Sequence, residues 1–371
     1  MSLYSRLIRP VLFWFDPEKI HTVVIWGLNL VSRLPLIAPL ITRFCRVETP
    51  TLNTRLGELL IANPIGLSAG FDKYIAAPLA YQMLGFGFAE LGSITNQPQP
   101  GNPKPRLWRL PADQGLIVHY GLNNDGAAVS AQRLLRASNR GISCGISIAV
   151  SAACSPAEMV GDYIAAWRKI WVVANYITFN VSCPNVTTQA VVQQVSFITT
   201  LLAAIRREMD GQFCTMPTFI KLGPDLPISD LDIILDAAMS NRITGIVATN
   251  LAKDRAKLKN IKSQPKQLDH PGGISGRLIR DISTEMIRHI DTYSRGRLTI
   301  IGVGGVFNAA DAYAKIRAGA SAVQIITGFI YGGPLTVRRI NRELLQLLRR
   351  DGFDNITEAI GSDHRWTNKV S

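Results

Sequence analysis

Cysteine is scarce and badly spaced for cross-linking. The five residues (Cys45, Cys144, Cys154, Cys183 and Cys214) are scattered, with no CxxC pair and no His/Cys cluster at zinc-like spacing. An odd, dispersed set argues against a disulfide framework and fits a reducing compartment. No metal centre is expected. Long apolar runs are also missing. The most apolar stretch, residues 1–45, is broken by Asp16, Glu18, Lys19 and Arg33 and punctuated by Pro10, Pro17, Pro35 and Pro39, so a spanning helix is not expected. No small-residue cleavage site follows a short apolar core, which argues against a secretory signal. Acidic residues are few: 27 Asp and Glu stand against 40 Lys and Arg, leaving a net charge of +13. That imbalance suits an anionic partner, whether nucleic acid, an acidic membrane surface or a phosphorylated cofactor, and does not choose among them.

What the chain does have is length and apolar material. With 371 residues, 47% of them hydrophobic and only 18% charged, it can bury a large core, which argues against disorder. The length fits one α/β barrel with added elements. No low-complexity segment and no repeat of 20–50 residues interrupts it.

Residues 1–45 read as two short helices, one over roughly 3–14 and a second starting at Asp16-Pro17, an N-cap followed by a first-turn proline. Tyr4, Leu7, Val11, Phe15, Val24 and Trp26 supply apolar surface, with Arg6, Arg9, Lys19 and Arg33 beside them. The pattern fits a hairpin lying in a membrane interface. It fits equally a helix pair packed on the protein's own core.

From about residue 58, short apolar runs alternate with amphipathic stretches. Strands are expected at Pro64–Ser68, Phe88–Leu91, Cys144–Ile148, Tyr176–Asn180, Thr218–Lys221, Gly245–Ala248, Thr299–Val303 and Ala322–Ile325. Helices are expected at 157–173, 190–209, 229–240, 278–294 and 307–318. Eight strands alternating with helices indicate a (β/α)8, or TIM, barrel, whose chemistry sits where the strands end. Those ends carry Lys73, Ser93, Asn180, Lys221 and Thr249-Asn250. Gly272–Gly276 reads as a glycine loop before a helix, Gly304-Gly305 follows the seventh strand, and Thr327-Gly328 follows the eighth. Bare backbone amides at such places close on a phosphate, although a tight turn is the commoner reason for any single glycine. Lys73 and Lys221 at strand ends suit the negative charge that a reduced flavin carries.

These residues together resemble the dihydroorotate dehydrogenase family, and the N-terminal helical pair points to its quinone-linked, membrane-associated branch (class 2). The matching stretches include NPIGLSAGFDK (63–73), GFGFAELGSIT (85–95), QPGNPKPRLWRL (99–110), NVSCPN (180–185), IKLGPDL (220–226), GIVATN (245–250), GGISGR (272–277), IIGVGGV (300–306) and TGFIYGGP (327–334). The resemblance implies FMN-dependent oxidation of dihydroorotate to orotate, in pyrimidine biosynthesis, with a membrane quinone as acceptor. It implies FMN contacts from Ala69, Gly70, Lys73, Ser93, Asn180, Lys221, Thr249, Gly276, Gly305 and Thr327. It implies substrate contacts from Lys73, Asn180, Asn185 and Asn250, a base at Cys183, and Arg106 near the quinone tunnel. It divides the chain into a helical segment (1–45), an FMN barrel (46–350) and a tail (351–371). It also implies peripheral association with the cytoplasmic side of the inner membrane and no nucleic-acid partner.

Several positions depart from the family's pattern. The base position is Cys183 where this branch carries serine, and a thiol suits the task if its site favours thiolate. The following loop, Val186–Gln189, lacks the family's Pro-Gly-Leu-Arg. Val118 and Leu251 stand where hydrogen-bonding residues face orotate, with His119 beside the first. Ser147 replaces an FMN-contacting asparagine, and Ile326 a tyrosine. An apolar wall against a buried polar group costs about 1–3 kcal/mol per group. A second reading is therefore a divergent FMN barrel acting on another small cyclic substrate, and a third is a flavin protein that has lost catalysis. A tRNA-dihydrouridine synthase would share an FMN barrel, a cysteine and basic surface. However, only about 40 residues follow the last strand, too few for the RNA-binding domain of that family.

Overall fold

The computed structural model describes residues 3–138, 143–182 and 195–365. A π-helical turn (Tyr4–Ile8) leads into three helices, α1 (Arg9–Trp14), α2 (Pro17–Val31) and α3 (Ile37–Cys45). The expected second helix is capped as foreseen: the Asp16 carboxylate accepts from Lys19 N at 2.8 Å, and Pro17 opens the helix. The third helix is an addition to the expected pair. Pro39 lies in its first turn, where a missing N–H costs nothing, so it does not break the helix.

The strands follow in chain order as β1 (Thr54–Leu56), β2 (Leu59–Ile61), β3 (Ile65–Leu67), β4 (Phe88–Ile94), β5 (Leu107–Leu110), β6 (Gly115–Val118), β7 (Cys144–Ile148), β8 (Tyr176–Asn180), β9 (Thr218–Leu222), β10 (Gly245–Ala248), β11 (Gly273–Gly276), β12 (Thr299–Val303) and β13 (Ala322–Ile325). Eight of them close a parallel barrel in the order β3-β4-β7-β8-β9-β10-β12-β13, with β13 pairing back onto β3. These are the eight expected strands. Helices Met159–Ile170, Ile228–Ser240, Arg280–Ser294 and Ala309–Arg317 surround them as anticipated. Helix Val195–Gly211 follows the span 183–194, which lies outside the described residues.

Gly272–Gly276 is not a loop. Most of it is β11, the outer strand of a three-stranded antiparallel sheet with β6 and β5, in which Gly276 pairs with Gly115 and Gly273 with Val118. The reason is alternation along an extended chain. Ile274 faces an apolar cluster with Leu110, Ile117 and Ile279, while Ser275 faces the opposite way.

The barrel interior is layered. The hairpin β1–β2 plugs the lower end with Leu56 and Ile61, against Phe88, Tyr176, Phe219 and Val247. Gly145 makes room here: a Cβ on it would lie 2.1 Å from the Tyr176 ring. Two residues further along the strands the layer turns polar, with Glu90, Thr178 and Gln324 all completely buried. Asn180 and Lys221 come next, at the strand ends. Over that end, α2 packs against β5 and helix Pro78–Met83. Among the described residues no helix is long and apolar enough to cross a membrane.

Candidate active site and tunnel

A single cavity of about 380 Å³ runs from the N-terminal helices to the upper end of the barrel. Its far wall is helical. Pro17, Ile20, His21 and Val24 on α2 all line it, the i, i+3, i+4, i+7 stripe of one helix face. Its floor is made by strand ends and the loops after them.

The loop after β3 is fixed from beneath. Asp72, buried, accepts from the backbone N–H groups of Ala76 and Ala77 and from the Tyr81 hydroxyl, each at 2.9 Å. Burial, then the neighbouring Asp72 charge, pushes the Tyr81 phenol well above its ordinary range, so it stays a donor. Gly70 N–H donates to Gly92 O at 2.7 Å, and Gly92 N–H to Asp72 O at 3.0 Å. The loop therefore presents Ala69, Gly70 and Lys73 to the cavity. Lys73 Nζ donates to Gly70 O at 3.0 Å and lies 3.6 Å from the Tyr120 ring centre.

Polar strand ends orient one another. Asn180 Nδ2 donates to Ser93 Oγ at 2.9 Å, and Ser93 Oγ meets Ser147 Oγ at 2.8 Å. Ser147 thus stands behind Ser93, away from the cavity lining, because its side chain is too short to reach past it. Asn250 Nδ2 donates to Asn180 Oδ1 at 3.2 Å and to Ser182 O at 3.0 Å. Lys221 Nζ donates to Ser68 Oγ at 3.2 Å.

The third part of the wall is rich in bare backbone. Gly276, Gly304, Gly305, Thr327 and Gly328 all line the cavity. Gly305 has φ +69° and lies so close to Arg280 that a Cβ would meet its backbone N at 2.9 Å. A Cβ on Gly328, at the start of helix Thr327–Gly332, would meet Val306 O at 1.9 Å. Thr327 Oγ1 meets Ser275 Oγ at 2.9 Å. Clustered amides and two hydroxyls here, with Lys73 and Lys221 on the same cavity, form a donor set suited to a phosphorylated group with a polar ring.

Of the residues expected at the site, Ala69, Gly70, Lys73, Ser93, Asn180, Lys221, Thr249, Asn250, Gly276, Gly305 and Thr327 all line this cavity. Cys183 and Asn185 lie outside the described residues. Val118, Leu251 and Ile326 line the cavity as apolar wall. His119 is turned away, with Nε2 3.1 Å from Asn102 Nδ2.

Arg106 does not face the cavity. Its Nη2 donates to Glu18 on α2 at 2.7 Å, and its Nη1 to Pro100 O and Asn102 O at 3.0 and 2.9 Å. Burial alone would raise the Glu18 carboxyl, but hydrogen bonding and charge from Arg106, with Lys104, hold it below the usual range. The arginine on the cavity is Arg109, which the sequence reading missed. It shares one face of β5 with Leu107, two residues away, and donates to Phe13 O at 3.0 Å and Phe15 O at 2.8 Å where α1 ends. His21 was also missed. Burial, then the Lys73 charge, lowers its imidazole to about 4, so it is neutral at physiological pH.

A family model described as Dihydroorotate dehydrogenase matches residues 51–348. A protein of Gloeobacter violaceus named Dihydroorotate dehydrogenase (quinone) is 40% identical over 365 residues, 97% of this chain and 99% of its own. One of that name from Nocardia farcinica is 37% identical, covering 98% of both chains. The crystal structure of the Eimeria tenella dihydroorotate dehydrogenase in complex with ferulenol superposes with a TM-score of 0.85 at 32% identity, over 94% of this chain and 96% of that one. The chain belongs to the dihydroorotate dehydrogenase family.

Proposed function

We infer that this chain oxidises dihydroorotate to orotate in pyrimidine biosynthesis and delivers the electrons to a quinone. The observation that carries the reading is the single cavity with two chemically different ends, polar strand ends in the barrel and an apolar helix face at α2. The flavin is FMN. Its phosphate fits the amides of Gly276, Gly305 and Gly328 with the Thr327 hydroxyl, where a Cβ on Gly305 or Gly328 would clash. FMN held there supplies a two-electron carrier between dihydroorotate and quinone. Ala69, Gly70, Ser93 and Thr249 shape its bed, and Lys221 favours negative charge on it.

Lys73, Asn180, Asn185 and Asn250 orient the substrate. Amide side chains both donate and accept, as the ring edges require, and the lysine meets the carboxylate. Cys183 removes the proton at C5. Arg109 and His21 line the passage by which quinone enters. The exposed apolar surface of the N-terminal turn and α1–α3, including Leu7, Trp14, Trp26, Leu36, Leu40 and Phe44, rests on the cytoplasmic side of the inner membrane.

The test is anaerobic. The purified protein is expected to be yellow, to bleach on adding dihydroorotate, and to regain colour with a ubiquinone analogue. A yellow protein that dihydroorotate leaves unbleached would overturn the substrate assignment and favour another small cyclic substrate, which the apolar Val118 and Leu251 would then accommodate. Cys183→Ala is expected to retain flavin and lose turnover.

A further inference from the structure

Beneath the cavity lies a buried carboxylate, Glu90, to which the family reading gives no role, paired with Lys221 of the cavity wall. Glu90 on β4 is completely buried in the polar middle layer of the barrel. Thr178 Oγ1 and Gln324 Nε2 donate to one carboxylate oxygen, Oε2, at 2.9 and 3.0 Å. The other oxygen, Oε1, accepts no hydrogen bond and lies 4.0 Å from Lys221 Nζ. Two neutral donors on different strands thus clamp the carboxylate, with its second oxygen beside the ammonium. At 4.0 Å the coupling is Coulombic rather than a hydrogen bond, and it acts where water is excluded. Barrel layers are usually filled by Val, Ile and Leu, and burying a carboxylate is costly without a partner.

We propose that Glu90 is a positioning and charge-balancing residue for Lys221, and that it lowers the reduction potential of the flavin held in the cavity. A lysine with no opposing charge stabilises the negative charge gained on reduction and so retains the electrons. A fixed carboxylate 4.0 Å away offsets that field and favours their departure to quinone. This inference rests on the flavin reading above.

Glu90→Gln tests it, being nearly isosteric and keeping an oxygen for Thr178 and Gln324. The midpoint potential of flavin-loaded protein, measured by equilibration with a reference dye, is expected to shift upward. Reoxidation by quinone is expected to slow, while bleaching by dihydroorotate does not. Glu90→Asp keeps the charge but withdraws it from Lys221, and its potential is expected between the two. A flavin-loaded Gln variant with the wild-type potential overturns the proposal. If that variant fails to fold, an Asp variant at the wild-type potential overturns it equally. Wild-type protein that binds no flavin refutes the flavin reading, and this proposal with it, by a result no Glu90 variant can mimic.

Discussion

Val118 offers the sharpest residue-level test, because it places an isopropyl group on the cavity wall where the family's pattern has an amide. A polar ring edge facing it loses a partner, at about 1–3 kcal/mol. Val118→Asn is therefore expected to lower KM for dihydroorotate about tenfold, the low end of that range, with flavin content unchanged. Steady-state kinetics at saturating quinone decide it, and an unchanged KM means that substrate does not meet this wall. Arg109 leads to the opposite end. Removing its guanidinium releases the carbonyls of Phe13 and Phe15 and frees the Phe13 ring, which lies 4.4 Å beneath it. Arg109→Ala is expected to raise KM for quinone about tenfold or more, consistent with about 1–3 kcal/mol per lost charged contact, while bleaching by dihydroorotate stays at the wild-type rate. Most of the strand-end residues were legible in the sequence, because polar residues closing an apolar run mark the end of a barrel strand. Arg106 and Arg109 were not separable that way. They lie three residues apart in one proline-rich stretch, and only the start of β5 at Leu107 decides which arginine turns inward.

At the scale of elements, the barrel strands were legible because each is a short apolar run flanked by a helix and buried on both faces. The sheet of β5, β6 and β11 was not. It joins residues 107–118 to residues 273–276, and Gly-Ile-Ser-Gly has too little apolar material to declare itself a strand. A glycine-rich segment signals close backbone approach equally well in a turn or in a strand, and tertiary pairing chose the strand. The docking of α2 is open to a pH test through His21. Its folded pKa of about 4 lies below the ordinary 6.5, mainly through burial and then through Lys73. Between those values the unfolded chain binds a proton that the folded chain does not, so stability falls as pH is lowered from 6.5 towards 4. Above 6.5 both states are neutral and the penalty is absent. His21→Gln removes this titration. The Tm advantage of wild type over that variant is expected to shrink across the window, by an equivalent of at most about 3 kcal/mol. Parallel curves would show that His21 is freely protonated in the fold.

Across the whole molecule, charge and apolar surface converge on one end. Trp14 is 82% exposed and Trp26 66%, and the exposed cations Arg6, Lys19, Arg33 and Arg43 belong to the same N-terminal helical segment. The basic C-terminal helix (Thr336–Asp351) joins this end, because the Arg338 guanidinium lies 4.2 Å from the Phe44 ring of α3. Part of the +13 charge therefore gathers beside an apolar face rather than spreading over the surface. Each cation held near an anionic bilayer contributes about 1 kcal/mol, and raising salt from about 0.1 to 1 M shortens the screening length from about 10 to 3 Å. The two half-reactions are then expected to respond differently. Dihydroorotate is a water-soluble carboxylate, so bleaching is expected to be indifferent to vesicles and salt. Reoxidation by a long-tailed quinone dissolved in anionic vesicles is expected to fall about tenfold or more in high salt. The double variant Trp14→Glu/Trp26→Glu is expected to show the same fall at low salt. A short-chain, water-soluble quinone reaches the tunnel without the bilayer and is expected to reoxidise both proteins alike. If the long-tailed quinone works equally well in every case, the apolar face of α1–α3 is not where this enzyme meets its quinone.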